Sequence, residues 1–374
     1  MIYFDNAATT RNKPEEVFQA LNTYLRDIGV SPGRGSYSAG IEASRMLYKA
    51  RTTVGSYFGL SRPDKVLFTK NSTEAINLLF HGILNKGDHV LISCYEHNAV
   101  LRPLHAMMQK GEIDYSVINR EDLSLSAIEL CDKYVRDNTK LIALTLASNL
   151  TGRIIFRDDW TRFFHDRGIL TFVDSSQGAG KIDVDMKSSG VDFLAFTGHK
   201  DLYGVPGAGG LCCEAEVSFE PLLQGGTGIH GDEYINPRVF PEGYEAGTLN
   251  MPAIWALKTG IDHINKHKAD IRERETALLE YLIQELSCIE GITIFDKNVS
   301  RVATCCITLS NLSTDKVVSL LDNNGICVRG GIHCAILAHE SLGTVETGAV
   351  RISLNYFNTI EEIDSLVNTL KLGE

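Results

Sequence analysis

A carboxylate and a lysine stand at the ends of two consecutive apolar segments. Leu170-Thr-Phe-Val-Asp174 runs on into Ser175, Ser176 and Gln177. Asp192-Phe-Leu-Ala-Phe-Thr197 runs on into Gly198, His199 and Lys200. The spacing between Asp174 and Lys200 fits one crossover between neighbouring parallel strands. Open α/β sheets bind ligands at the carboxyl ends of their strands, so both groups would face one crevice. A lysine amine condenses with an aldehyde, and a carboxylate holds a pyridine nitrogen protonated, so the pair suits pyridoxal 5′-phosphate (PLP). Each residue taken singly has a plainer reading. Asp174 is equally a helix cap or an ion-pair partner, and a lone lysine is usually solvated. On these two residues alone both readings stay open. Walker A, HExxH and GxSxG sequences are absent, and no GxGxxG opens a helix after a strand, which removes the usual support for ATPase, zincin, lipase and dinucleotide-binding readings.

The elements that must position the pair are legible as alternation. Apolar, β-branched runs at 66–69, 89–93, 115–118, 141–147, 170–174, 192–197 and 209–213 alternate with helical patterns such as 73–84 and 98–109. Runs apolar nearly throughout predict strands buried on both faces, and the alternation predicts an α/β fold with a mostly parallel sheet. A long helical pattern over 253–286 leads into a smaller α+β unit. Its strands are predicted near 292–295, 303–309, 326–329 and 350–354, and its helices near 314–323 and 359–371.

The 374 residues suffice for a large core, with 44% hydrophobic and 22% charged residues. A net charge of −11 argues against a nucleic-acid or anionic-membrane binder. The opening MIYFDNAATT has no signal-peptide pattern, and no run approaches the roughly 18 apolar residues of a membrane span, so a cytoplasmic setting is expected. Nine cysteines, an odd count without a CxxC, predict small buried side chains in a reducing compartment. Only Cys334, after Gly330-Gly331-Ile332-His333, has a context for chemistry. That loop is expected to be mobile and exposed, with His333 and Arg329 favouring the thiolate.

The motifs together resemble the class V aminotransferases, and within them the cysteine desulfurase and selenocysteine lyase group. The likeness rests on Phe4-Asp-Asn-Ala-Ala-Thr-Thr10, Asn71-Ser-Thr-Glu-Ala-Ile-Asn77, Glu96-His-Asn-Ala-Val100, Ser148-Asn149, Asp174-Ser-Ser-Gln177, Thr197-Gly-His-Lys200, Glu245-Ala-Gly-Thr248, Arg329-Gly-Gly-Ile-His-Cys334 and Arg351-Ile-Ser-Leu354. It implies the fold type I of PLP-dependent transferases: a large domain over 15–255 with a seven-stranded sheet, and a small α+β domain from 1–14 and 256–374. It also implies a homodimer with shared active sites.

Roles follow from the resemblance residue by residue. Lys200 would carry PLP as an imine and move the proton at the substrate Cα. Asp174 would pair with the pyridinium nitrogen, Gln177 would bond the ring O3′, and His97 would stack on the ring. Ser72 and Thr73, at a helix start, would bind the phosphate with Thr197, His199 and Thr248 of the partner subunit. Asn149 would lie near O3′ and the substrate carboxylate, which Arg351 would clamp with its planar fork. Arg329 would stand at the entrance or beside the thiolate. Cys334 would attack the sulfur of the bound cysteine, leaving alanine and a persulfide.

The chain also departs from its relatives. Ser176 stands where many have alanine, the run Asp201–Gly207 is about one residue longer than usual, and Gly33-Arg34-Gly35-Ser36 replaces a histidine-bearing stretch. The cysteine loop has the short Arg-x-Gly-x-His-Cys form, which resembles desulfurases served by a dedicated sulfur-acceptor protein, yet 225–243 is short for their hairpin. Beside a desulfurase of L-cysteine, three readings are open: a selenocysteine or other C–S lyase, a true aminotransferase, and a non-catalytic scaffold.

Overall fold

The computed structural model describes residues 1–33 and 35–372. Arg34, part of the departing stretch noted above, lies outside the described residues.

Seven strands form the main sheet, in the order β2-β8-β7-β6-β5-β3-β4. They are β2 (Val66–Thr69), β3 (His89–Ser93), β4 (Asp114–Ile118), β5 (Thr139–Thr145), β6 (Leu170–Asp174), β7 (Phe193–Thr197) and β8 (Gly209–Cys213), and β1 is the short Ile2–Tyr3. The pairs β4–β3, β3–β5, β5–β6 and β6–β7 are parallel, whereas β8 runs antiparallel to both β7 and β2. Two reversals restore direction, so β2 points the same way as β7. The carboxyl ends of β2, β7, β6, β5 and β3 therefore open on one edge.

Every residue of β3, β7 and β8 is buried. Helices cover both faces, which is why these strands read as unbroken apolar runs. Helices Ser38–Tyr57 and Met251–Leu286 bury Ala50, Val54, Leu257 and Ile261 with Val66, Leu194 and Phe196 on one face. Helices Ser72–Ile83 and Asn98–Gln109 bury Ile76, Leu79, Phe80, Val100 and Leu104 with Val90, Phe172 and Phe193 on the other. A glycine is required at Gly209, where a Cβ would stand 2.8 Å from the Asn71 Cα. That close approach lets the start of helix Ser72–Ile83 press on β8.

Helix Met251–Leu286 spans both cores. Ile254 to Ile271 pack on the large sheet, and Leu278 to Leu286 pack in the second core. Non-helical torsions at His267 (φ −119°, ψ 17°) bend it between them. The second core carries an antiparallel sheet, β12-β13-β10-β9, made of β9 (Ile292–Ile294), β10 (Thr304–Leu309), β12 (Arg329–Gly331) and β13 (Ala349–Ser353). β11 (Ile326–Cys327) instead pairs in parallel with β1. The single strand expected at 326–329 is thus two strands in two sheets, broken at Val328. Residues 225–243 contain no strand. Among the described residues, no helix is long and apolar enough to cross a membrane.

Candidate active site

Four adjacent parallel strands deliver four of the expected side chains to one edge. β3 leads to His97, β5 to Asn149, β6 ends on Asp174, and β7 leads to Lys200. Asp174 is buried. Its Oδ1 accepts from Ser176 N at 3.0 Å and from Ser176 Oγ at 2.5 Å. Gln177, also buried, donates through Nε2 to the Ala7 carbonyl at 2.7 Å. Lys200 is half-buried. Desolvation brings its pKa down to about 8, opposed by Asp174 and reinforced by Arg351. An amine half neutral near pH 8 is a competent carbonyl nucleophile. The turn before it is fixed from the segment 9–13: the His199 carbonyl accepts from Thr9 Oγ1, Thr10 N and Lys13 Nζ, and the Lys200 carbonyl from Thr10 Oγ1 at 2.9 Å.

His97 caps helix Asn98–Gln109. Its Nδ1 accepts from Ala99 N at 3.0 Å, which leaves the ring proton on Nε2. Burial, with Lys200 adding to it, lowers its pKa to about 4, so the ring is neutral at pH 7. Beneath it Glu96 is wholly buried. Its Oε1 accepts from Ser93 Oγ at 2.6 Å and Thr145 N at 2.8 Å, while Oε2 has no partner among the described residues. Burial pushes this carboxyl up to about 8.

At the start of helix Ser72–Ile83, Asn71 caps the Glu74 amide at 2.9 Å. The Ser72 and Thr73 amides have no acceptor among the described residues, and a helix start with free N–H groups attracts an anion. Thr197 Oγ1 is buried without a partner. His199 Nδ1 lies 3.0 Å from Thr9 Oγ1, and burial lowers its pKa to about 4. Thr248 is exposed, and lines a cavity of about 340 Å³ with Thr69, Lys70 and Glu74 rather than meeting Lys200 directly.

The small sheet supplies the other wall. Arg351 on β13 is 1% exposed and is held by two groups. Nη2 meets Asp5 Oδ1 at 2.6 Å, Nη1 donates to the Asn149 carbonyl at 2.9 Å, and Nε is unpartnered. Arg329 on β12 pairs in register with Arg351; it is exposed, and its charge acts on Lys200, His97 and His333.

Cys334 is less exposed than its loop was expected to be. It is half-buried, and its carbonyl accepts from Asn98 N at 2.8 Å. The His333 carbonyl accepts from Asn149 Nδ2 at 2.7 Å, and His333 Nε2 lies 3.1 Å from the Arg329 carbonyl. His333 and Cys334 both take left-handed torsions (φ 54° and 55°), which hold the loop in a tight turn. His333 is no source of positive charge either, because burial lowers its pKa to about 3. Arg329 is left as the cation of this loop. Asp5 and Glu96 were not singled out by residue type; the motifs Phe4-Asp-Asn and Glu96-His97 contained them without revealing their contacts. Ser176 stood out as a departure from relatives with alanine, but its bond to Asp174 was not foreseen.

A family model described as Aminotransferase class-V matches residues 2–366. The chain belongs to the class-V aminotransferase family. Its class-V relatives include a probable cysteine desulfurase of Methanothermobacter thermautotrophicus, 34% identical over 99% of this chain and 94% of the relative. Another, from Xylella fastidiosa, is 30% identical over 99% and 90%. Among solved structures, the apo cysteine desulfurase of Thermococcus onnurineus superposes with a TM-score of 0.90, at 29% identity, covering 99% of this chain and 94% of that one. The class-V architecture is fold type I of the PLP-dependent transferases.

Class-V enzymes use PLP, and the donor set here fits that group. Among the described residues, the Thr197 hydroxyl and the Asn149 Oδ1 are buried polar atoms without partners, and the Ser72 and Thr73 amides have no acceptor. Buried polar atoms are normally paired, so a cluster of unpaired ones on one edge marks where a polar ligand sits.

Proposed function

We propose that this chain is a PLP-dependent cysteine desulfurase. It converts L-cysteine to L-alanine and leaves the sulfur as a persulfide on Cys334, for transfer to an acceptor thiol. The observation that carries the proposal is the anchoring of the Cys334 loop to Asn98 and Asn149. It ties the loop of this half-buried cysteine to the segments that follow β3 and β5, beside the ends of β6 and β7. The names of the relatives support the same reading.

In this reading Lys200 would hold the cofactor, Asp174 would face its ring nitrogen, Gln177 its O3′, and His97 its ring. Ser72, Thr73, Thr197 and His199 would hold its phosphate, together with Thr248 of the partner subunit in a homodimer. When bound, PLP supplies an electron sink that weakens the bonds at the substrate Cα and Cβ. Arg351 and Asn149 orient the substrate carboxylate, with Asp5 fixing the guanidinium. Lys200 takes and returns the Cα proton. Cys334 Sγ attacks the substrate sulfur; the S–Cβ bond breaks as the S–S bond forms, and carbon receives the thiol proton. Cysteine plus one thiol gives alanine plus one persulfide, so no external oxidant is needed. Arg329, at the mouth, stabilises the thiolate. Nine unpaired cysteines support a reducing, cytoplasmic setting.

The test is Cys334→Ala. The variant should keep the cofactor's yellow absorbance and lose alanine and sulfide formation from cysteine, with no keto acid required in the wild type. Unchanged turnover would remove Cys334 from the reaction.

A further inference from the structure

The Asp174 carboxylate is loaded asymmetrically. Oδ1 accepts two hydrogen bonds from one residue, the Ser176 amide at 3.0 Å and the Ser176 hydroxyl at 2.5 Å. Among the described residues no donor reaches Oδ2. Asp174 is 2% exposed, so its charge is shared only with what lies in the site. The charged and titratable groups acting around it are Lys200 from β7, and His97 and Glu96 from the segment after β3. Arg351 and Arg329 act on Lys200 from the small sheet, and Asp201 from the turn after it. None of these donates to the carboxylate, so Ser176 alone decides how its charge is divided.

We infer that Ser176 is a positioning residue that tunes the cofactor through Asp174. The inference rests on the PLP reading above. The amide bond would form with any residue at this position, because it is backbone. The hydroxyl bond exists only because the residue is serine. A short O–H···O⁻ bond is among the stronger hydrogen bonds, and it draws charge from the carboxylate. Oδ2 then balances less of the positive charge on the ring nitrogen. The ring stays more electron-poor, which lowers the proton affinity of the nitrogen linking it to Lys200. Ser176 therefore keeps that linkage in its unprotonated form at lower pH than alanine would.

The experiment compares the holoenzyme with Ser176→Ala and Ser176→Thr by titrating the visible absorbance of the bound cofactor against pH, and by equilibrium binding of PLP to the apo protein. Ser176→Ala should raise the titration midpoint by roughly half a unit, since a second donor remains on Oδ1. Ser176→Thr, which keeps the hydroxyl, should titrate like the wild type. Equal midpoints in wild type and Ser176→Ala would overturn the inference. An equal shift in both variants would also overturn it, because side-chain size rather than the hydroxyl would be responsible. A wild type that gives no visible band with PLP would instead refute the cofactor reading. Should Ser176→Ala fold poorly, Ser176→Gly provides the same comparison without a hydroxyl.

Discussion

Replacing Glu96 by glutamine should stabilise the protein in a manner that depends on pH. The carboxyl is wholly buried and holds its proton to about pH 8 in the folded chain, against an ordinary value of 4.5. Between those values the unfolded chain has lost the proton and the folded chain retains it. The unfolded state then binds fewer protons, so stability falls as pH rises, by roughly 1.4 kcal/mol per unit. Below 4.5 both states are protonated and the effect vanishes. Above 8 both are ionised and the whole cost, on the order of 5 kcal/mol, is present. Glutamine keeps an oxygen for Ser93 Oγ and Thr145 N but has no proton to lose. The stability difference between Glu96→Gln and wild type should therefore grow by about 4 kcal/mol from pH 5 to pH 8. Urea unfolding of both proteins across that range measures it. His97, His199 and His333 titrate in both proteins and cancel in the difference. A difference that stays constant with pH would show that Glu96 is ionised in the fold, and the reasoning would fail.

Two further outcomes bear on the site. Burial lowers Lys200 to about 8, so uptake of PLP by the apo protein should speed up as pH rises, with its midpoint near 8; a midpoint close to the ordinary lysine value of 10.5 would contradict the buried setting. Arg351→Lys keeps a charge for Asp5 but cannot also serve the Asn149 carbonyl and a substrate carboxylate in fixed directions. The KM for cysteine should rise roughly 10- to 100-fold with a smaller change in kcat. An unchanged KM in steady-state assays would mean that Arg351 does not hold the substrate.

Much of the fold was legible because the sheet is buried on both faces. β2, β3, β6 and β8 fall where their unbroken apolar runs begin and end. The break between β11 and β12 was not legible, since Ile326 to Arg329 is continuous in pattern and only tertiary pairing separates it. Lys200 and Asp174 drew attention because strand ends are where such groups act, and Asn149 only through the family resemblance. Asp5 and Glu96 were missed because their partners are distant or are backbone atoms. Asp5 meets Arg351, and Glu96 meets Thr145 N. The full exposure expected for the Cys334 loop came from its glycines, whereas Cys334 is half-buried. The loop's two left-handed residues, and its bonds to Asn98 and Asn149, depend on torsions and contacts that residue types do not encode.

The segment Phe4–Lys13 has a consequence for how the protein is made. Asp5 holds Arg351, the Ala7 amide donates to Ser353 Oγ, and Thr10 fixes the Lys200 turn. Asp5 and Arg351 are 346 positions apart in the chain. During synthesis the large sheet can close well before β13 leaves the ribosome, but the Asp5–Arg351 pair cannot form until then. On the reading proposed above, a nascent chain that already holds Lys200 and Asp174 in place still lacks the guanidinium that would orient a substrate carboxylate. The two walls of the site are thereby joined only when the last strand, β13, is delivered.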